Sequence, residues 1–527
     1  MPWPGPEAMK ITLITEGTYP YNLGGVSVWC DQLLREMAEH SFEILAISAT
    51  GTEKNIWGLP GNVVQVGTVP LWAPTPRRRV GPSLRKRFAP VLELFLRSLA
   101  FESGGEGFTS SLRELSEFAR TGELSAAMSS EDAVEMLVAM APRCNERTGG
   151  QSPGPLSVGD AVEVLVQLEH FLRPLSVPPP RADLCHTTAN GLGTLPALAA
   201  KWTWGTPFLM TEHGVYLRER YLSYLPGSLG QPARAMVLRF FKLLIEAAYE
   251  YADIVAPVCR YNRLWEIANG TSPERIRPVH NGIDLKSFPV AATEPAVPTL
   301  VFVGRIDPLK DIETLLRAFA EVRATVPQAR LRIFGPTPEG GEDYFRRCLE
   351  LAGELGLQDG SVTFEGPISP TVKAYHAGHV LVLTSISEGL PYVVLEAMAS
   401  GRPVVATDVG GVAEGVGSAG ILVPPRDPSA VAAACARLLT DEPLRQALAR
   451  KARDRAVQLF AAERCFAMYR SLYEELGPSQ AKYIALPTEH DEDIAIPIEQ
   501  EVFHLASSGP FVEATPGERL VEPEVLA

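Results

Sequence analysis

Apolar and polar positions change their period several times along the chain. KITLIT (10–15) is a short continuous apolar run that stops at Glu16 in a glycine-containing loop, EGTYPYNLGGVS. VSVWCDQLLREMAEH then places apolar residues at helical spacing, and FEILAISA (42–49) is strand-like again. Strand, loop, helix, strand is how a parallel α/β sheet begins. The pattern breaks near APTPRRRVGPSLRKRF (73–88), and from there to about Pro180 the chain reads as helical and irregular. Strand signals resume at ADLCHTT (182–188), PFLMTEHG (207–214) and ADIVAPV (252–258). Residues 1–285 are therefore expected to form a doubly wound domain interrupted by a mostly helical insertion at about 73–182.

LKSFPVAATEPAVPT (285–299) is rich in Pro and Ala and reads as a linker over 286–298. A second α/β series follows over 299–461. Its expected strands are TLVFVGRI (299–306), ARLRIFGP, SVTFEGPI, VLVLTS (380–385), PVVAT and GILVPP, separated by helical runs such as DIETLLRAFAEVRATV and EDYFRRCLELAGELGL. Two α/β domains joined by a linker put a cleft between the carboxyl ends of two sheets. Ligands of such folds bind outside those ends.

Composition narrows the class. Hydrophobic residues make up 46% and charged residues 21% of the 527, the balance of a soluble globular protein. The net charge of −14 argues against nucleic acid as a partner, because phosphate contacts need a basic surface. The charge is uneven: ten acidic residues against Lys482 and Arg519 give the tail after Leu476 a net −8. That tail, 479–527, is expected to be partly disordered. Seven cysteines stand singly with no CxxC pair, which suits a reducing compartment without a structural zinc site. No run of 18 apolar residues occurs, so a cytoplasmic protein is expected. The basic cluster Arg77, Arg78, Arg79, Arg85, Lys86 and Arg87 reads first as a solvated loop. The other reading is a contact with an anionic membrane surface or a membrane-bound subunit, which would make the protein peripheral to the inner membrane.

The candidate chemistry lies at strand ends. Gly24 and Gly25 stand between the first strand and the first helix, where backbone amides and the helix dipole can receive a phosphate. A plain strand-to-helix turn fits them equally well. In VGRIDPLKDI (303–312), Arg305 and Lys310 follow a strand and flank a helix start, an arrangement that holds a diphosphate and stabilises its charge on leaving. Glu388 and Glu396 in TSISEGLPYVVLEAMASGRPVVATDVGG (384–411) would stand about 80° and about 12 Å apart on one helix. Gly389 and Pro391 instead put Glu388 on a loop and Glu396 inside the helix. Amides near Gly389 and Leu390 would then face phosphates, and two acids could grip one extended ligand at two points. Glu396 sits among apolar residues, where a charge needs a partner. His213, at a strand end beside Gly214, is placed to meet a ligand, and a structural histidine is the competing reading. His186 and His280 are weaker cases.

Taken together, GRIDPLKD, FGP, VTFEGPI, SEGLPYVVLEAMASGRPVVATDVGG and the earlier NGID resemble the retaining GT-B glycosyltransferases of family 4, and the match covers both halves. EGTYPYNLGGVSVW and TEHGVYLRER look like the PelF-like branch of Pel exopolysaccharide synthesis. The resemblance implies two Rossmann-like domains facing a cleft, with the acceptor on the first and a nucleotide-sugar donor, a UDP-sugar with UDP-glucose favoured, on the second. It implies that Arg305 and Lys310 bind the donor diphosphate, that Glu388 sits by the donor sugar, and that Glu396 takes the ribose hydroxyls. Gly24 and Gly25 lie near the phosphates and His213 near the reaction centre. Gly335 of FGP, Gly366 and Ile368 lie on the nucleotide side, the last two around the base. Family 4 enzymes keep the anomeric configuration and use no metal or other cofactor. A helix over 462–478 is expected to return to the first domain. Competing functions are a phosphorylase or an epimerase on the same fold, and a scaffold that binds nucleotide or polymer without turnover.

Overall fold

The computed structural model describes residues 8–74, 80–100, 105–147, 156–224 and 229–477. Twelve strands form two sheets. The first contains β1 (Lys10–Glu16), β2 (Ser41–Ser48), β3 (Val63–Pro70), β4 (Leu184–Thr187), β5 (Phe208–Glu212) and β6 (Ile254–Pro257). The second contains β7 (Thr299–Val303), β8 (Arg330–Phe334), β9 (Val362–Gly366), β10 (Val380–Leu383), β11 (Val404–Thr407) and β12 (Gly420–Val423). Their orders are β3-β2-β1-β4-β5-β6 and β12-β11-β10-β7-β8-β9, with every pairing parallel. Helices cover both faces of each sheet, which is why β4, β5, β6, β7, β10 and β11 are buried along their whole length. Two parallel six-stranded sheets of this kind are the GT-B architecture.

Both sheets reverse strand order at one place, between β1 and β4 in the first and between β7 and β10 in the second. Chain loops diverge there to opposite faces and leave a crevice at the carboxyl ends. Strand β3 was not anticipated from the sequence. It is an edge strand, interrupted by Gly67 and closed by Pro70, and paired only to β2.

Between β3 and β4 the described residues are helical: Pro82–Ala100, Gly105–Arg120, Leu124–Met128, Glu131–Arg147 and Val158–Leu172. Phe95, Phe108 and Phe171 from this segment pack with Phe240 and Phe241 of the helix Gln231–Tyr251, ring centroids 5.0–6.3 Å apart. The basic cluster is not the loop expected of it where it is described. Arg85, Lys86 and Arg87 lie in the helix Pro82–Ala100, and Arg85 and Arg87 pair with Asp132 and Glu123. Arg77, Arg78 and Arg79 fall outside the described residues, as does the acidic tail. No helix among the described residues is long and apolar enough to cross a membrane.

The chain crosses between the halves twice, side by side. Ile283 N donates to Phe460 O at 2.7 Å and Ala462 N to Ile283 O at 3.0 Å. After the second crossing the helix Ala462–Leu476 packs on the first sheet. Tyr473 Oη meets His186 Nδ1 at 2.8 Å, and Arg470 pairs with Glu39 at 2.7 Å. His186 is therefore structural: Thr211 takes its other nitrogen, and burial pushes its pKa down to about 3. The Pro- and Ala-rich stretch is clamped to the second half, where Glu294 takes both ends of the buried Arg445 guanidinium at 2.8 and 2.9 Å.

Candidate functional site

The second sheet builds its side of the crevice from the loops after β7 and β10. Ile386 N donates to Leu309 O at 2.8 Å, and Thr384 Oγ1 to Lys310 O at 3.0 Å, so the two loops are tied to each other. Lys310 ends a short 3-10 turn, and Asp311 caps the following helix Ile312–Thr325 in a left-handed conformation (φ 48°). Lys310 Nζ lies 2.5 Å from Glu388 Oε1, and Ser385 Oγ donates to that same oxygen at 2.6 Å. Arg305 stands apart from this pair. It is mostly exposed and 3.2 Å from Asp307. Glycines end the three neighbouring strands: Gly304, Gly335 and Gly366 follow or close β7, β8 and β9. Gly335 (φ 141°) leaves no room for a Cβ, which would collide with Gly304 O, and its N–H donates to Gly366 O at 2.9 Å. Ile368 lies two residues beyond, half-buried on the core.

Glu388 lies on the loop and Glu396 in the helix Tyr392–Ala399. The partner that Glu396 needed is Tyr375, whose hydroxyl donates to Oε2 at 2.5 Å. Burial still pushes the Glu396 carboxyl up to about 7, against the pull of that hydrogen bond.

The first half meets these groups through small residues. A Cβ on Gly389 would collide with His213 O, and one on Gly25 would come within 3.0 Å of the Tyr392 ring. Gly24 is exposed beside it, with open space around its own Cβ position. Asn281 Nδ2 donates to Leu390 O at 2.8 Å, and Arg260 N to Glu414 Oε2 at 2.6 Å. His280 is a bridge between the halves, 2.6 Å from Glu414. His213 packs edge-on against Trp29, centroids 4.8 Å apart. Burial pushes its pKa down to about 3, which makes it neutral at physiological pH. Its Nε2 is buried and has no hydrogen-bond partner among the described residues. The structure thus joins Lys310 with Glu388, Gly389 with His213, Leu390 with Asn281, and Gly335 with Gly366. Arg305, Gly24 and Glu396 make no contact with one another.

The matches to known proteins divide the chain at the same place. A family model described as a domain of unknown function, DUF3492, matches residues 9–274, just over half of the chain. The chain belongs to the DUF3492 family. A group 1 glycosyl transferase domain follows the DUF3492 segment, matching residues 297–441. The D-inositol 3-phosphate glycosyltransferase of Acidothermus cellulolyticus is 32% identical over 277 residues, which are 48% of this chain and 58% of that one. The enzyme of that name from Saccharomonospora viridis is 32% identical over 294 residues, 52% and 66% of the two chains. The chain therefore spans less than two thirds of the length of these relatives. Among solved structures, a sucrose-phosphate synthase from Thermosynechococcus elongatus has a TM-score of 0.59 at 21% identity, covering 89% of this chain and 98% of its own. Anabaena HepE in complex with UDP and glucose has a TM-score of 0.56 at 16% identity, covering 88% and 99%. At these identities the likeness is one of fold.

Sequence reasoning passed over two acids of this crevice. Glu16 ends β1 at the reversal point of the first sheet, where its Oε1 accepts from Tyr216 Oη at 2.6 Å. Glu219, in the helix Tyr216–Tyr224, has its carboxylate against Gly214. The positional argument that singled out Arg305 applies equally to Glu16.

Proposed function

We propose that this chain is a retaining glycosyltransferase that moves a hexose from a nucleotide sugar to a saccharide acceptor. The donor is a UDP-sugar, with UDP-glucose first, and the reaction uses no metal. One observation carries this reading: Lys310 and Glu388 form a 2.5 Å pair where the second sheet reverses order, against the strand end that carries His213. The group 1 glycosyl transferase match, the names of the relatives and the UDP held by a neighbour of the same fold all support it.

The base lies over Gly335, Gly366 and Ile368, and the ribose hydroxyls reach Glu396. Arg305, Lys310 and the amides of Gly389 and Leu390 take the diphosphate, with the helix start at Gly24 and Gly25 closing on it from the other half. Glu388 positions the donor sugar and holds the Lys310 ammonium in place. Neutral His213 can exchange a hydrogen bond with a sugar hydroxyl without adding charge. The acceptor hydroxyl attacks from the face the diphosphate leaves, so configuration is kept, and the closed halves exclude water that would hydrolyse the donor. The exopolysaccharide role rests on EGTYPYNLGGVSVW and TEHGVYLRER, the stretches that resemble the PelF-like branch.

The test is transfer from UDP-glucose by Lys310→Ala and Arg305→Ala. Each substitution removes a donor aimed at developing charge and should cost about 10²–10³ in rate. A rate near that of the unaltered protein for either variant would sink the assignment.

A further inference from the structure

The reversal point of the first sheet lies opposite the donor residues, and its polar groups are of a different kind. Glu16 Oε1 accepts from Tyr216 Oη at 2.6 Å and Oε2 from Gly193 N at 3.2 Å. Gly191 is hemmed in by the same pair: a Cβ there would collide with the Tyr216 ring and lie 2.7 Å from Glu16 Oε2. One turn along the helix Tyr216–Tyr224 is Glu219. A Cβ on Gly214 would collide with its Oε1, and a Cβ on Gly389 would stand 3.6 Å from Gly214 Cα. Glu219 therefore lies against Gly214, the residue that faces Gly389 where the halves meet. It remains exposed to the crevice. The surrounding protein displaces water and raises its pKa. Arg220 and, across the crevice, Arg305 oppose that rise, whereas Glu16 and Glu388 add to it.

Arg220 is the counter-charge on this wall. Its guanidinium lies over the Tyr216 ring, 4.8 Å from the centroid, and the oxygens of Tyr216, Glu16 and Glu219 outweigh the burial that opposes its charge. Its Nε is buried with no hydrogen-bond partner among the described residues. The wall thus offers two carboxylates, a phenol and one already compensated cation. Carboxylates accept hydrogen bonds from pairs of hydroxyls and repel anions. The cations across the crevice, Arg305 and Lys310, are held by Asp307 and Glu388 and face the donor.

We infer that Glu16, Tyr216 and Glu219 form the acceptor wall of the crevice and select an acceptor rich in hydroxyls that carries no phosphate or carboxylate near its attacking oxygen. This rests on the glycosyltransferase reading above and names the acceptor class for it. Glu219, against Gly214 where that residue faces Gly389, is the specificity residue, and Glu16, held by Tyr216 and Gly193, backs it. The inference separates this chain from relatives whose names specify a phosphorylated inositol acceptor.

The experiment titrates the UDP-loaded full chain by calorimetry with cellobiose, maltose and D-inositol 3-phosphate, for the unaltered protein and for Glu219→Gln. UDP affinity and Tm are measured alongside. The unaltered protein should bind a neutral disaccharide at least tenfold more tightly than the inositol phosphate. Glu219→Gln should shrink that ratio about tenfold with UDP affinity and Tm unchanged, a change of preference that a merely structural role would not produce. Preference for the inositol phosphate, a ratio indifferent to the substitution, or no binding of any of the three would overturn the inference. Failure of the unaltered protein to bind UDP would overturn the glycosyltransferase reading itself, and is told apart by the UDP measurement alone.

Discussion

Two carboxyl groups, Glu212 of β5 and Glu266 of the helix Arg260–Ala268, are buried together beneath the strand end that carries His213. Tyr249 Oη donates to both oxygens of Glu212, at 3.0 and 2.9 Å. Burial raises both pKa values; Glu212 raises Glu266 further, while the hydrogen bond from Glu266 pulls Glu212 back, so the pair keeps at least one proton through the neutral range. In the unfolded chain both titrate near 4.3. The folded pKa is raised, so the contribution to stability is fully present below the unfolded value and drains away as pH rises towards the folded one. One extra bound proton gives a slope of about 1.4 kcal/mol per pH unit, or roughly 2.7 kcal/mol between pH 5 and 7. Glu266→Gln keeps the shape and supplies a hydrogen-bond donor to Glu212 without needing that proton. The variant should gain on the unaltered protein as pH rises. At about 2 °C per kcal/mol, its Tm relative to the unaltered protein should climb by about 5 °C from pH 5 to pH 7. Scanning calorimetry of both proteins at half-unit pH steps measures the difference, and groups common to both cancel. Parallel Tm profiles would refute the shared-proton account.

Two further outcomes follow from the crevice. Gly389→Ala sets a Cβ against His213 O, so the halves cannot close, and transfer should fall roughly 10²-fold; UDP binding, measured by thermal shift, should persist, and an unchanged kcat would contradict the contact. The Glu396 carboxyl, pushed up to about 7 by burial, is protonated in acid, so UDP affinity should rise about tenfold from pH 6 to pH 8 if the ribose hydroxyls need the carboxylate. Glu396→Gln should flatten that profile, and an identical pH dependence in the variant would remove Glu396 from the nucleotide.

Local chemistry explains what could be read from the sequence. Most buried strands of both sheets are rich in apolar residues, and Gly389 with Pro391 separates the loop acid Glu388 from the helical acid Glu396. What stayed hidden depends on distant parts of the chain. Val63 and Val64 belong to an edge strand with a partner on one side only, so β3 lacks an apolar signature. Tyr375 meets Glu396 only because β10 carries the chain back between them. Composition makes 286–298 read as a linker, yet it is fastened to the second half by residues far along the chain, among them Arg445, which Glu294 holds from 151 positions away. Glu219 lies inside a motif that drew attention to His213, but its neighbour Gly214 meets Gly389 only when the two sheets face each other.

That facing is held by unusual means. Where the halves touch, Gly25, Gly389 and Gly411 remove side chains, so backbone approaches ring, carbonyl or the Cys259 side chain directly. Directional links join the halves as well, Asn281 to Leu390 O, Arg260 N to Glu414 and His280 to Glu414, beside an apolar contact in which Tyr392 is buried within a core cluster shared by both halves. The two crossings are bonded to each other through Ile283, Phe460 and Ala462, while Glu294 binds the linker to the second half. The residues proposed to hold the donor lie mainly on the second half, but Gly24, Gly25 and His213 reach it from the first half, which also carries Glu16, Tyr216 and Glu219, so both substrates would depend on the same facing of the two sheets.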